Sequence, residues 1–139
     1  MTNEAVLIFE TEMALPFTCT DGAGIEKGAL LQLADPMTAS LASAANQMVA
    51  GIAAEEKIAS DGKTKIAVYR GGIFKVIASG SIGVGDELGF ANYSDNRVYS
   101  NRATANVSGS IVVGTALETA TVGESFLMEL KPQGALHWF

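Results

Sequence analysis

Apolar and polar residues alternate along most of this chain in short runs, each closed by glycine, asparagine, aspartate or proline. A period of two broken by such residues predicts strands and turns rather than long helices. From Lys63 to Arg70, Ile66 and Val68 fall on one face and Lys65, Ala67 and Tyr69 on the other. Gly71-Gly72 follows, then Ile73 to Ala78, with Phe74 and Val76 opposite Lys75 and Ile77. Two glycines tolerate the positive φ angles of a primed turn, so this stretch reads as a β-hairpin. Ser125 to Lys131 is a last strand, turning Phe126, Met128 and Leu130 inward. Ala5-Val6-Leu7-Ile8-Phe9 does not alternate: it is apolar on both faces and bracketed by Glu4 and Glu10. That pattern predicts a strand buried on both sides, or an arm that adds to a neighbour's sheet.

The same grammar occurs twice. Ile25, Gly28, Leu31, Leu33 and Ala34 spell I-x-x-G-x-x-L-x-L-A, and Ile82, Gly85, Leu88, Phe90 and Ala91 repeat it with one aromatic exchange. Behind the first copy come Val49, Gly51, Ala53 and Glu55; behind the second, Val112, Gly114, Ala116 and Glu118. A glycine turn and strand, followed by a glycine-interrupted strand, is thus used twice. The expected fold is all-β, a small barrel or sandwich built from duplicated units, with an extended N-terminal arm. Asp35-Pro36 ends the first repeat strand, since proline lacks a donor. Thr38 to Ala45 is where one short helix or a surface loop could form, being rich in alanine and serine. Gln47 to Ala59, Glu87 to Tyr93, Arg97 to Ser100 and Ser110 to Glu118 read as further strands, with Gly51 at a bulge or close approach. One domain spanning residues 1–139 is expected, with an arm over 1–20, a core over 21–131 and an aromatic tail over 132–139.

Composition narrows the function. Hydrophobic residues make up 48% of the 139 and charged ones only 17%. So little charge leaves apolar surface to be covered by self-association or a large partner. The net charge is −6 and the nine basic residues form no stripe, which argues against nucleic acid as a partner. Lys63 and Lys65 read as solvated edge charges. No targeting segment or membrane span is expected, because the stretch Met37 to Ala54 is broken by Ser40, Ser43, Asn46, Gln47 and Gly51.

Candidate chemistry is sparse. The lone histidine, His137, sits beside Trp138 and Phe139 near the end of the sequence, a poor place for an oriented base. One histidine and one cysteine, Cys19, do not make an ordinary zinc site, and Cys19 reads as a small buried hydrophobe. Gly80 to Gly89 resembles a phosphate loop, but no Lys-Ser/Thr follows, a strand comes next, and Asp86 and Glu87 would repel an anion. The pairs Glu55-Glu56 and Asp86-Glu87 read as turn carboxylates, with a weak Ca²⁺ site across a subunit boundary as the alternative. No cofactor, metal or catalytic residue is expected. The tail from Gly134 to Phe139 either folds over its own core or docks into a partner.

Residues Val49 to Ala53, Tyr69-Arg70-Gly71-Gly72-Ile73-Phe74-Lys75-Val76, Ile82-x-x-Gly85-Asp86-Glu87-Leu88 and Val113-Gly114-Thr115-Ala116-Leu117 resemble the capsid decoration, or cement, proteins of tailed bacteriophages. The likeness spans roughly Ile25 to Lys131. It implies a small all-β virion protein, usually a homotrimer, made in the host cytoplasm and bound outside the expanded head to the major capsid protein at subunit junctions. Gly28, Gly71, Gly72, Gly85 and Gly114 then hold turns. Ala5, Val6, Leu7, Ile8, Phe9, Trp138 and Phe139 are the candidate capsid or oligomer contacts. The alternative is another virion module, a fibre or tail adaptor or a carbohydrate-binding domain stacking sugars on Tyr69, Tyr93, Tyr99 and Trp138. A hydrolase using Asp and Glu is disfavoured by the missing base.

Overall fold

A computed structural model describes residues 3–43, 47–91, 95–101 and 111–133, and within them the chain is all-β, with eleven strands and no α-helix. Strands β2 (Leu15–Thr18), β3 (Leu30–Ala34), β4 (Thr38–Leu41), β5 (Val49–Ala53) and β6 (Lys65–Tyr69) close into a barrel in the order β2-β4-β3-β5-β6. The remaining strands are β1 (Val6–Phe9), β7 (Gly72–Ile77), β8 (Glu87–Phe90), β9 (Val98–Ser100), β10 (Val112–Ala116) and β11 (Ser125–Gln133). They form a six-stranded sheet in the order β1-β7-β11-β10-β8-β9.

The sequence repeat is a structural repeat, register included. Ile25 bridges Lys57, and Ile82 bridges Ala120, both antiparallel. Gly28 N–H donates to Ala53 O at 2.9 Å, and Gly85 N–H to Ala116 O at 2.8 Å. Their φ angles are +87° and +88°, the left-handed region that glycine enters without Cβ strain. Leu31 lies opposite Gly51, and Leu88 opposite Gly114. The third strand of each unit follows suit, pairing Ala53 with Val68 and Ala116 with Met128. A parallel seam closes the barrel where Thr18 meets Thr38. In the sheet an isolated parallel bridge from Ala78 to Val98 ties β9 back towards β7. The sheet is therefore a second copy of the barrel's plan with β1 added outside.

Gly51 and Gly114 share one physical reason. A Cβ on Gly51 would run into the carbonyl oxygen of Tyr69, and one on Gly114 into that of Glu129. Each carbonyl belongs to the residue just after the repeat's paired position, Val68 or Met128. Close backbone approach inside each unit leaves no room for a side chain.

Two buried clusters follow from the alternation. Phe17, Leu31, Ile66 and Val68 fill the barrel. Leu30, Val49 and Ile52 point out of it and join Phe74, Val76, Leu88, Phe126, Met128 and Leu130 from the sheet. All five residues of β5 are buried because it has core on both faces.

Three local expectations are corrected. β6 and β7 do not form a hairpin: β6 pairs with β2 and β5, and β7 with β1 and β11. Gly71-Gly72 is instead the corner where the chain leaves the barrel for the sheet. Side-chain space at Gly71 is taken by Glu12, and Gly72 has φ +127° with Phe9 O nearby. The Thr38–Ala45 segment begins as strand β4, since pairing with β3 outweighs local alanine propensity; residues 44 and 45 lie outside the described ones. Finally, β1 is not buried on both sides.

Candidate interaction surface

Strand β1 pairs antiparallel with β7, setting Val6 opposite Lys75, Leu7 opposite Phe74 and, beyond a bulge, Phe9 opposite Ile73. Ala5 is buried and Leu7 packs against the sheet's core. The other side of the strand faces out: Val6 is 48%, Ile8 42% and Phe9 63% exposed. No described strand lies beyond β1. The result is an open ladder edge carrying three apolar side chains, with exposed Glu4, Glu10 and Glu12 around it. Burial pushes the Tyr69 phenol above its ordinary range, reinforced by the charge and hydrogen bond of Glu10.

The arm is anchored at its start. Ala5 N–H donates to Gly28 O at 3.0 Å, and Glu4 and Ala5 occupy the space a Gly28 side chain would need. Asn96, buried and at φ +59°, reaches the same carbonyl with Nδ2 at 3.0 Å and donates to Asn3 O at 2.9 Å. Its Oδ1 accepts from Leu30 N–H at 2.7 Å. One side chain thus joins the β8–β9 connection, the first repeat turn and the arm. Nothing in the local sequence marks Asn96 as a latch.

Beside the barrel lies an open groove of about 550 Å³, lined by Phe17, Leu33, Met37, Met48, Asp35 and Arg70. Arg70 is held by the carbonyls of Ala50 at 3.0 Å and Val49 at 3.3 Å. Elsewhere Lys57, with a side chain only 1% exposed, donates to Asp61 Oδ1 at 2.9 Å, Asp21 O at 2.9 Å and Ile58 O at 2.9 Å. Burial pulls this ammonium down, but its bonds to Asp61 and Asp21 outweigh that and hold it above its ordinary value. The bond from Lys57 and the amide of Lys63 hold Asp61 below the usual carboxylate range. Every Lys57 donor is satisfied, so the cluster stitches loops together and offers nothing to a ligand.

The candidate chemistry disperses. Cys19 is buried in the barrel core, and burial raises its thiol pKa. Asp86 is buried, accepting from Gly83 N–H and Ser100 Oγ at 2.8 Å each, whereas Glu87 faces solvent. Among the described residues no group of three His, Cys, Asp or Glu converges as metal ligands would. Tyr69 stacks edge-on against Phe74 at 5.6 Å, and Tyr99 is half-buried against Gly89, so neither offers a free sugar platform. Tyr93, His137, Trp138 and Phe139 lie outside the described residues.

An all-β duplicated fold with an apolar open edge suits a structural protein. The family model for phage cement proteins matches residues 9–130. The chain belongs to the phage cement protein family. This member is accordingly a structural component of a bacteriophage virion. No curated protein matches the chain. Among solved structures, the N base of the head fibre gp8.5 of bacteriophage phi29 is similar, at TM-score 0.56 and 22% identity over 91% of this chain and 100% of that one. At that identity the likeness bears on the fold.

Proposed function

We propose that this cement-family protein is a non-catalytic clamp on the outside of the capsid, bound where copies of the major capsid protein meet and stabilising the expanded head. The observation that carries the reading is β1: an edge strand with Val6, Ile8 and Phe9 exposed side by side on an open backbone ladder. Strand addition supplies backbone hydrogen bonds, and covering the three side chains contributes about 3 kcal/mol. That is weak for one contact, so a homotrimer, engaging several junctions at once, multiplies it. The net charge of −6 keeps unbound copies apart. No nucleic acid and no membrane enters this reading, and Trp138 and Phe139 remain proposed secondary contacts. The protein acts as one domain, made in the host cytoplasm and carried on the capsid exterior.

The test is co-sedimentation with purified expanded heads, comparing the parent protein with the triple variant Val6→Thr, Ile8→Thr, Phe9→Ser. Loss of occupancy by a variant that melts normally supports the assignment; unchanged occupancy removes β1 from it. A parent protein that stays in the supernatant overturns the capsid reading itself. Light scattering reports the trimer.

A second reading draws on the phi29 head-fibre N base, whose whole length this fold covers. Here the chain would seat a longer appendage on the head. Heads that carry this chain and recruit no fibre protein would exclude it.

A further inference from the structure

We infer that the strand received by β1 is an apolar segment flanked by lysine or arginine, and that another protein supplies it. The inference rests on the capsid reading for who brings the strand; its chemistry is argued from the fold.

Among the described residues backbone ladders end in three ways. The barrel closes on itself. The β9 end of the six-stranded sheet is tied back by the Ala78–Val98 bridge. Only β1 presents an open ladder among the described residues. The duplication sharpens the contrast. Pairing of Phe17 with Ile66 and of Val76 with Phe126 places Pro16 of the barrel where Lys75 stands in the sheet. Lys75 accepts β1 as neighbour, whereas Pro16 has no N–H to offer a ladder. The duplicated site is shut in one unit and extended by β1 in the other. Strand β1 itself carries neither proline nor lysine, and its sole irregularity is the bulge between Leu7 and Phe9.

A second copy is a poor occupant. Two β1 strands pairing antiparallel about Leu7 set Glu4 opposite Glu10, and pairing about Ile8 sets Glu4 opposite Glu12. Like charges directly across a ladder repel. A ring of copies would instead need a different open edge to receive each β1, and the described residues provide none. The same three carboxylates favour a foreign strand with cations at its ends. Lys75 stands one strand inward, opposite Val6.

The full chain is titrated with two synthetic peptides that share a five-residue Val-Thr-Val-Thr-Val core, one capped by lysine pairs and one by glutamate pairs. The lysine peptide binds about tenfold tighter, loses that advantage in high salt, and protects the Leu7 and Phe9 amides from hydrogen exchange. The double variant Glu4→Lys, Glu10→Lys reverses the preference while melting as the parent does. Equal affinities, no binding, or binding that leaves β1 amides unprotected overturns the inference. So does a concentration-dependent dimer abolished by Ile8→Lys. Heads separate it from the reading above. If they bind the parent and the charge-reversed protein alike, this inference fails and capsid attachment stands. Should the lysine peptide dock on β1 of a protein that ignores heads, capsid attachment fails and the strand chemistry survives.

Discussion

Asn96 Oδ1 accepts a 2.7 Å hydrogen bond from the Leu30 amide, joining the two repeat units through a buried side chain 66 residues away. The same amide group reaches Gly28 O and Asn3 O through Nδ2. Asn96→Ala leaves buried partners unpaired and puts a Cβ residue less tolerant of φ +59° in the turn. The expected loss is about 3 kcal/mol by urea denaturation. Asn96→Gly keeps the backbone relaxed and loses only the bonds, so it should fall about 1 kcal/mol short of that. Equal losses would show that the bonds alone matter.

Gly51 and Gly114 each face a carbonyl oxygen, of Tyr69 and Glu129, where a Cβ would go. Each alanine substitution forces strand from strand, and about 3 kcal/mol or more should be lost in each case. Gly85 has open space but φ +88°, so Gly85→Ala should cost only about 1 kcal/mol of backbone strain. Thermal melts of the three variants decide the order; a Gly85 variant as unstable as the other two would contradict it.

These two glycines also mark what could be read from the chain alone. The repeat was legible because turn, register and close-packed glycine recur together, and the all-β class follows from that. The Gly71-Gly72 hairpin failed for a physical reason: alternation and a tight turn specify two strands, but not whether they pair with each other. Here Ile66 and Val68 belong to the barrel core while Phe74 and Val76 belong to the sheet core, so the chain turns a corner instead. Ala5 to Phe9 looked doubly buried because hydropathy cannot distinguish a covered face from one awaiting a partner. Asn96 was invisible as an anchor because its bonding partners are remote in the chain, and Lys57 because its burial depends on Asp21, brought to it only by the fold.

Lys57 gives stability a pH signature. Asp61 is held below its ordinary 3.8, so its contribution is present above that value and is lost as pH falls through the lowered folded value. Lys57 is held above its ordinary 10.5, so its contribution is complete below 10.5 and is lost only as pH rises through the still higher folded value. Stability from this cluster should be flat between those limits. Lys57→Met leaves the Asp21 and Asp61 carboxylates without their cation. The variant should therefore melt well below the parent at pH 7, with the gap narrowing as pH falls below 4 and Asp61 is neutralised. A gap that stays constant from pH 7 to pH 3 would assign the loss to packing alone.

Deleting residues 1–12 tests how far the arm belongs to the fold. The sequence reads as an extended N-terminal arm preceding the core. The structure makes it a working part: Ala5 is 5% exposed, its N–H bonds Gly28 O, Asn3 Nδ2 donates to Asp95 O, and Leu7 packs on the sheet core. Removing it also exposes the β7 edge and strips Asn96 of one partner. The truncated protein should lose about 3–5 kcal/mol and melt about 10 °C or more below the parent. Substituting only the outward Val6, Ile8 and Phe9 should leave melting within about 2 °C, because those side chains give up little burial in the free protein. A truncation that melts like the parent would mean that β1 is docked loosely in solution and is ready to leave β7 for another sheet.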